Sequence, residues 1–147
     1  MMFSTILFPL DLAGASEHTI ALAARFAREQ GATLHVVYVF DQGHDFEAAA
    51  FTSIDPQTVT FHTQEIHRVL ASTVDRAVAL GARAEAHVIE GGPAWQKILD
   101  EAARLGADVI LMQTHGRRGL GRAVVGSTTE EVLRHSSIPV LAVREPG

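Results

Sequence analysis

Cysteine is absent from the 147-residue chain. That excludes disulfides and thiolate metal sites, and nothing points to an oxidising compartment. No apolar run approaches the roughly 20 residues needed to span a bilayer. The opening MMFSTILFPLDL lacks the basic n-region and small-residue cleavage site of a secretion signal. An excess of positive charge is missing too: 12 Lys and Arg stand against 17 Asp and Glu, a net charge of −5. Such a balance argues against sequence-independent nucleic-acid binding, which needs a basic face to neutralise phosphates. Repeats, low-complexity tracts and interdomain linkers are also lacking. What remains is 47% hydrophobic and 20% charged, the composition of a globular chain long enough for one domain, residues 1–147, and too short for two. A soluble cytoplasmic protein is the expectation.

The apolar patterns alternate between short β-type and longer helical runs. Thr5 to Leu10 reads as a buried strand. From Ser16 to Gln30 a helical face forms from Ile20, Ala23, Ala24 and Ala27, with Ser16 as N-cap and Gly31 as C-terminal stop. Leu34 to Phe40 is a second strand, rich in β-branched and aromatic residues. Residues 41–56 carry no period and read as loop. Gln57 to Leu80 is a long helix with Ile66, Val69, Leu70, Val74 and Val78 toward the core. Ala84 to Ile89 is the third strand. Pro93 opens a helix where its missing N–H is not needed, and Gly106 follows that helix. Val109 to Met112, a helix from Gly126 to Arg134, and the strand Pro139 to Val143 complete the pattern. Strands alternating with helices imply right-handed crossovers and a mostly parallel sheet covered on both faces. Ligands of such sheets bind beyond the carboxyl ends of the strands, where strand order reverses. Asp11 after the first strand and Thr114 to Gly116 after the fourth are the polar residues at such ends.

The segment Met112 to Val132, MQTHGRRGLGRAVVGSTTEEV, is the densest in candidate chemistry. GRAVVGST (Gly121 to Thr128) falls one residue short of a P-loop, because Ser127 occupies the lysine position and no cation is supplied to the β- and γ-phosphates. The dinucleotide fingerprint fails as well, since Gly119 and Gly121 have no third glycine three residues on. An anion site remains physically favoured. Gly126, Ser127 and Thr128 open a helix whose free N–H groups and dipole attract phosphate. Arg117, Arg118 and Arg122 place cations within six residues of an otherwise acidic chain. Read from these residues alone, a phosphate cradle and a merely capped helix with solvated arginines stand about even.

The run GADVILMQTHGRRGLGRAVVGSTTEEVLRHSSIPVLAV closely resembles the signature end of the universal stress protein (UspA-type) family. Its ATP-binding branch carries G-x-x-G, nine residues, then G-[ST]. Gly116, nine intervening residues, Gly126 and Ser127 match the second glycine and the closing pair, while Gln113 replaces the first glycine. The resemblance extends to ILFPLDLAGASEHTIALAARFA, LHVVYVFD and EGGPAWQKILDEAARLGADVILM, nearly the whole chain outside residues 41–60. It implies an α/β fold of one doubly wound domain, adenine nucleotide alpha-hydrolase-like, with a five-stranded parallel sheet of order 3-2-1-4-5. It also implies an adenine nucleotide (ATP, or ADP or AMP) with Mg²⁺. Pro9, Leu10 and Asp11 would lie against the ribose and phosphates, with Asp11 holding the ribose or, indirectly, the magnesium. The backbone at Val39 would recognise adenine. Gln113 would lie where the chain passes the ribose, and His115, Gly116, Arg117, Gly126, Ser127 and Thr128 around the phosphates. Two departures from the family pattern stand out. Glutamine at 113 brings a Cβ where glycine lets the backbone approach a ligand, and its amide can donate to a ligand hydroxyl. Ala13 stands where many members carry serine or threonine.

Two further readings stay open: a nucleotide-free interaction module, favoured by Gln113, and a slow ATPase with Asp11 as general base. A Ser16–His18–Asp11 hydrolase is set aside, because G-x-S-x-G is absent and Ser16 is better used as a cap. The eight histidines include no set at metal-ligand spacing; His62 and His67, five apart, read as solvated. His115 is expected to orient the glycine loop, and Trp95 to pack at a helix start. The last strand should lie at a sheet edge, where an unpaired apolar strand is an aggregation hazard. Pairing of Val140, Leu141, Ala142 and Val143 with the same strand of a second copy would close it, giving a homodimer.

Overall fold

Why the chain forms one sheet covered on both faces follows from its central strands Thr5–Leu10, Thr33–Phe40 and Val109–Thr114, whose near-continuous apolar runs are buried on both sides. The computed structural model describes residues 2–11, 13–41, 56–114 and 126–144. The strands are β1 (Thr5–Leu10), β2 (Thr33–Phe40), β3 (Arg83–Glu90), β4 (Val109–Thr114) and β5 (Val140–Arg144). The helices are α1 (Glu17–Gln30), α2 (Pro56–Ala79), α3 (Ala94–Leu105) and α4 (Ser127–His135). All four strand pairings are parallel, in the order β3-β2-β1-β4-β5. The reversal of strand order thus falls between β1 and β4.

Alternation along the strands divides the core in two. Ile6, Phe8, Leu34, Val36 and Leu111 meet Ala23, Ala24 and Ala27 of α1 and Ile66, Leu70 and Ala77 of α2. Leu7, Val37, Val39, Ile110 and Met112 meet Ile98 and Ala102 of α3 and Val132 of α4. Alanines along α1 let that helix lie close to the strands. Ser16 caps α1, its hydroxyl accepting from the Thr19 N–H at 3.1 Å. Gly31 ends it in the left-handed conformation (φ 68°), as Gly106 (φ 67°) ends α3, a backbone region that costs other residues a Cβ clash.

The inner stripe of α2 differs from the expected one. Val78 is 51% exposed, while Ala77 is fully buried and Thr73 nearly so. Positions 66, 70, 73 and 77 follow the helical period better than the run of large apolar residues does. Thr73 is accommodated because its hydroxyl donates to the Val69 carbonyl at 2.8 Å. The loop expected from residue 41 lies, from 42 to 55, outside the described residues, and α2 begins at Pro56. Strand ends shift by a residue or two, β4 reaching Thr114 rather than Met112. Among the described residues no helix is long and apolar enough to cross a membrane.

A single carboxylate ties the start of the sheet together. Asp108, just before β4, accepts from the Ser4 N–H (2.7 Å), the Ser4 hydroxyl (2.9 Å) and the Thr5 N–H (2.9 Å). Those hydrogen bonds, the Ser4 backbone donor first, hold its pKa below the ordinary carboxylate value. A group whose folded pKa is depressed stabilises the fold above its unfolded pKa and stops doing so as pH falls through the folded value. Asp108→Ala should therefore be less stable than the parent at pH 7 in urea titrations, and the gap should close as pH falls below about 4. Ile110 is fully buried between β1 and β5. Ile110→Ala should cost about 2–5 kcal/mol in the same assay with an unchanged m-value.

Candidate functional site

The crevice of this sheet begins with a proline. The Ser4 carbonyl accepts from Thr33 at the start of β2, and the Thr5 carbonyl from Asp108 just before β4. Strand alternation therefore turns the backbone of residues 5, 7 and 9 toward β4. Position 9 is proline, which has no N–H to give. Pairing of β1 with β4 covers only Ile6↔Val109 and Leu7↔Ile110, although β1 runs to Leu10 and β4 to Thr114. Beyond Leu7 the two strands separate at their carboxyl ends, and the switch point opens.

A cavity of about 550 Å³ occupies this opening, within the range of small-molecule sites. Pro9, Leu10 and Asp11 contribute from the end of β1, Tyr38 and Val39 from β2, and Met112 and Gln113 from β4. Gly14 and Ala15 line it from the loop before α1, His62 from α2, Ala94 and Ile98 from α3, and Gly126, Ser127, Thr128 and Thr129 from the start of α4. Eight expected site residues thus share one cavity: Pro9, Leu10, Asp11, Val39, Gln113, Gly126, Ser127 and Thr128. His115, Gly116 and Arg117 lie outside the described residues.

Local chemistry explains each wall. After β1 the chain turns back at Gly14, whose N–H donates to the Asp11 carbonyl at 2.9 Å and whose φ is +78°. A side chain there would be strained by that backbone and would come within 3.3 Å of Val69. β2 outruns β1: its register with β1 ends at Tyr38, whereas its pairing with β3 continues through Val39 and Phe40. The backbone at Val39 therefore borders the cavity rather than a neighbouring β1 residue. The N-cap of α4 is Gly126, which supplies no side-chain hydrogen bond. Ser127 is thus the first helical residue and not a cap, and the first-turn N–H groups are not taken up by a capping side chain.

Gln113 has a role that the motif alone does not suggest. Its side-chain oxygen accepts from the Ser16 N–H at 3.0 Å, joining the end of β4 to the cap of α1. The glutamine thereby braces the two chain segments that flank the switch point, and its amide N–H₂ is the donor half that faces no such commitment.

Sequence reasoning missed His62, Gly14, Tyr38, Ala94 and Ile98. His62 is half-buried, not solvated, with its ring 5.4 Å from that of Phe40. The signal available was its place one turn before Ile66 on the inner side of α2. Trp95 packs as expected, stacked at 4.5 Å on His135 of α4.

A model of the universal stress protein family matches residues 2–144. A universal stress protein of Methanocaldococcus jannaschii is 28% identical over 145 residues, covering 99% of this chain and 84% of that protein. The structure of the universal stress protein from Archaeoglobus fulgidus in complex with dAMP superposes with a TM-score of 0.70 at 21% identity, covering 97% of this chain and 99% of that one. A universal stress protein in complex with cAMP gives 0.71 at 22% identity, covering 99% and 100%. The parallel sheet in the order 3-2-1-4-5 is the fold these structures share. With its sheet order and a match spanning nearly every residue, the chain belongs to the universal stress protein family.

Proposed function

We propose that the switch-point cavity binds an adenine nucleotide, ATP with Mg²⁺, and that the protein acts as a cytoplasmic, homodimeric regulatory module of the stress response. The observation that carries this reading is the meeting of Asp11 and the uncapped start of α4 in one cavity of nucleotide dimensions. Related proteins of the same fold have been seen with dAMP and cAMP, ligands that share adenine and a phosphorylated pentose. The base stacks against the apolar wall of Val39, Ala94 and Ile98, with hydrogen bonds to the β2 backbone at Val39. Pro9 and Leu10 border the ribose. Gln113, braced on Ser16, offers its amide N–H₂ to a ribose hydroxyl. Phosphates settle on Gly126, Ser127 and Thr128, where N–H groups and the helix dipole favour negative charge. His115, Gly116 and Arg117 belong to the same cradle by motif. Magnesium carried on the phosphates neutralises charge between them and Asp11.

Binding rather than turnover is the function proposed. Calorimetric titration of tag-free protein with ATP and Mg²⁺ should give one site per chain. Asp11→Ala should weaken it roughly tenfold, with a smaller dependence on Mg²⁺. Absence of heat with ATP, ADP and AMP alike would overturn the reading in favour of a nucleotide-free interaction module.

The dimer rests on β5. It is an edge strand with Leu141 38% exposed and Ala142 exposed, beside the half-buried Val140 and the buried Val143. Antiparallel pairing of this strand with its copy satisfies the open edge of both. Light scattering should report a dimer at micromolar concentration, and Leu141→Asp should shift it toward monomer without loss of helical circular dichroism. A monomeric parent protein would refute the dimer.

A further inference from the structure

At the opposite end of β2 from Val39, two histidines and a carboxylate converge on the α3 side of the sheet. His35 and Val39 are four residues apart, roughly 13 Å along a strand, so this cluster is separate from the switch-point cavity. His35 of β2 pairs in register with Glu85 of β3, and His87 lies two residues beyond Glu85 on the same face. Nδ1 of His35 is 2.9 Å from Nε2 of His87, and the rings stack at 5.1 Å. That same Nε2 is 3.9 Å from Oε1 of Glu85. The three ligand atoms all lie within 4.8 Å of one another.

We propose that His35 Nδ1, His87 Nε2 and the Glu85 carboxylate form a binding site for a divalent transition metal of the zinc class, clamping β3 to β2. Two imidazoles and one carboxylate are a ligand set that zinc takes at about 2.0–2.2 Å, with a fourth position for water. Nitrogens sharing one tetrahedral zinc lie roughly 3.3 Å apart, so the imidazole pair needs to part by only a few tenths of an ångström. In the metal-free pair one ring nitrogen donates to the other. On binding, the donating ring shifts its proton to its other nitrogen, both imidazoles stay neutral, and both converging lone pairs face the metal.

The surroundings suit a cation. Glu101 of α3 is a buried carboxylate that acts electrostatically on both histidines. Arg104 holds it in place by hydrogen bonds of 2.7 and 2.5 Å. Within the cluster Glu85 and Glu101 outweigh Arg104, leaving net negative charge for an arriving ion. Glu85 is well exposed and His87 partly so, which provides a path of entry; His35 is the buried anchor.

The test uses chelator-treated, tag-free, nucleotide-free full-length protein titrated with Zn²⁺ by calorimetry, and with Co²⁺ by visible absorption. One equivalent should bind, with four-coordinate Co²⁺ bands and a raised melting temperature. His87→Ala and Glu85→Ala, both at accessible positions, should each weaken binding roughly tenfold or more. His67→Ala, on the exposed face of α2, should leave it unchanged. Absence of Zn²⁺ binding to the parent, or unchanged affinity in His87→Ala, overturns the site. Unchanged affinity in Glu85→Ala overturns the three-ligand assignment.

Discussion

The missing N–H of Pro9 is the constraint on which the functional end of this molecule depends. Parallel strands placed side by side close on each other unless something stops the ladder. Here the ladder between β1 and β4 ends at Leu7↔Ile110, because the next β1 backbone turned toward β4 belongs to proline. Three further parallel pairings hold the rest of the sheet, so the opening is local. Among the described residues, the segments that line it lie in a strand or helix or within a few residues of one.

The ends of the helices show how local choices serve that opening. α1 and α4 both begin near the switch point, yet their caps differ. Ser16 satisfies the first turn of α1 from within, and the Gln113 side chain takes the N–H of Ser16 itself. α1 is therefore spent on structure. At α4 the capping position is glycine, with no oxygen to give. Of two helix starts near one cavity, one is capped by its own side chain and the other has none at its cap. The same asymmetry explains why glutamine at 113 is compatible with a binding role: its oxygen is engaged in bracing, and its Cβ lies on a chain segment already fixed by that bond.

The fold was readable in the sequence to within a residue or two at most element ends, because period and punctuation agreed: Ser16 and Gly31 around α1, Pro93 and Gly106 around α3. Strand order was not readable from period; it came from the resemblance carried by Gly116, Gly126 and Ser127. The failures share one cause. Apolarity points Val78 to the core, whereas the period of α2 selects Thr73 and Ala77 and a backbone carbonyl satisfies the threonine. Polarity points His62 to solvent, whereas its position on α2 places it against Phe40. His35 and His87 are 52 residues apart, and only the β2–β3 register brings them together. Residue type misleads where geometry decides burial, and long-range register is invisible to local spacing.

The two edges of the sheet are managed in opposite ways, and that difference orders the remaining features. β3 carries Arg83, Glu85, His87 and Glu90, and its burial pattern alternates toward solvent, which discourages pairing with another chain. The same polar side chains supply the ligating atoms beside His35. β5 carries Val140, Leu141, Ala142 and Val143 with only Arg144 charged, and nothing on it repels a second copy. A polar edge is free to take an ion because it is not needed for assembly; an apolar edge is free to take a partner because it bears no chemistry. The switch point lies between them, bordered by β1 and β2 on the β3 side and by β4 on the β5 side. Each edge adjoins a strand that lines the cavity, β2 through Val39 and β4 through Gln113, and the helix α3 carries both Ile98 of the cavity and Glu101 beside the histidines.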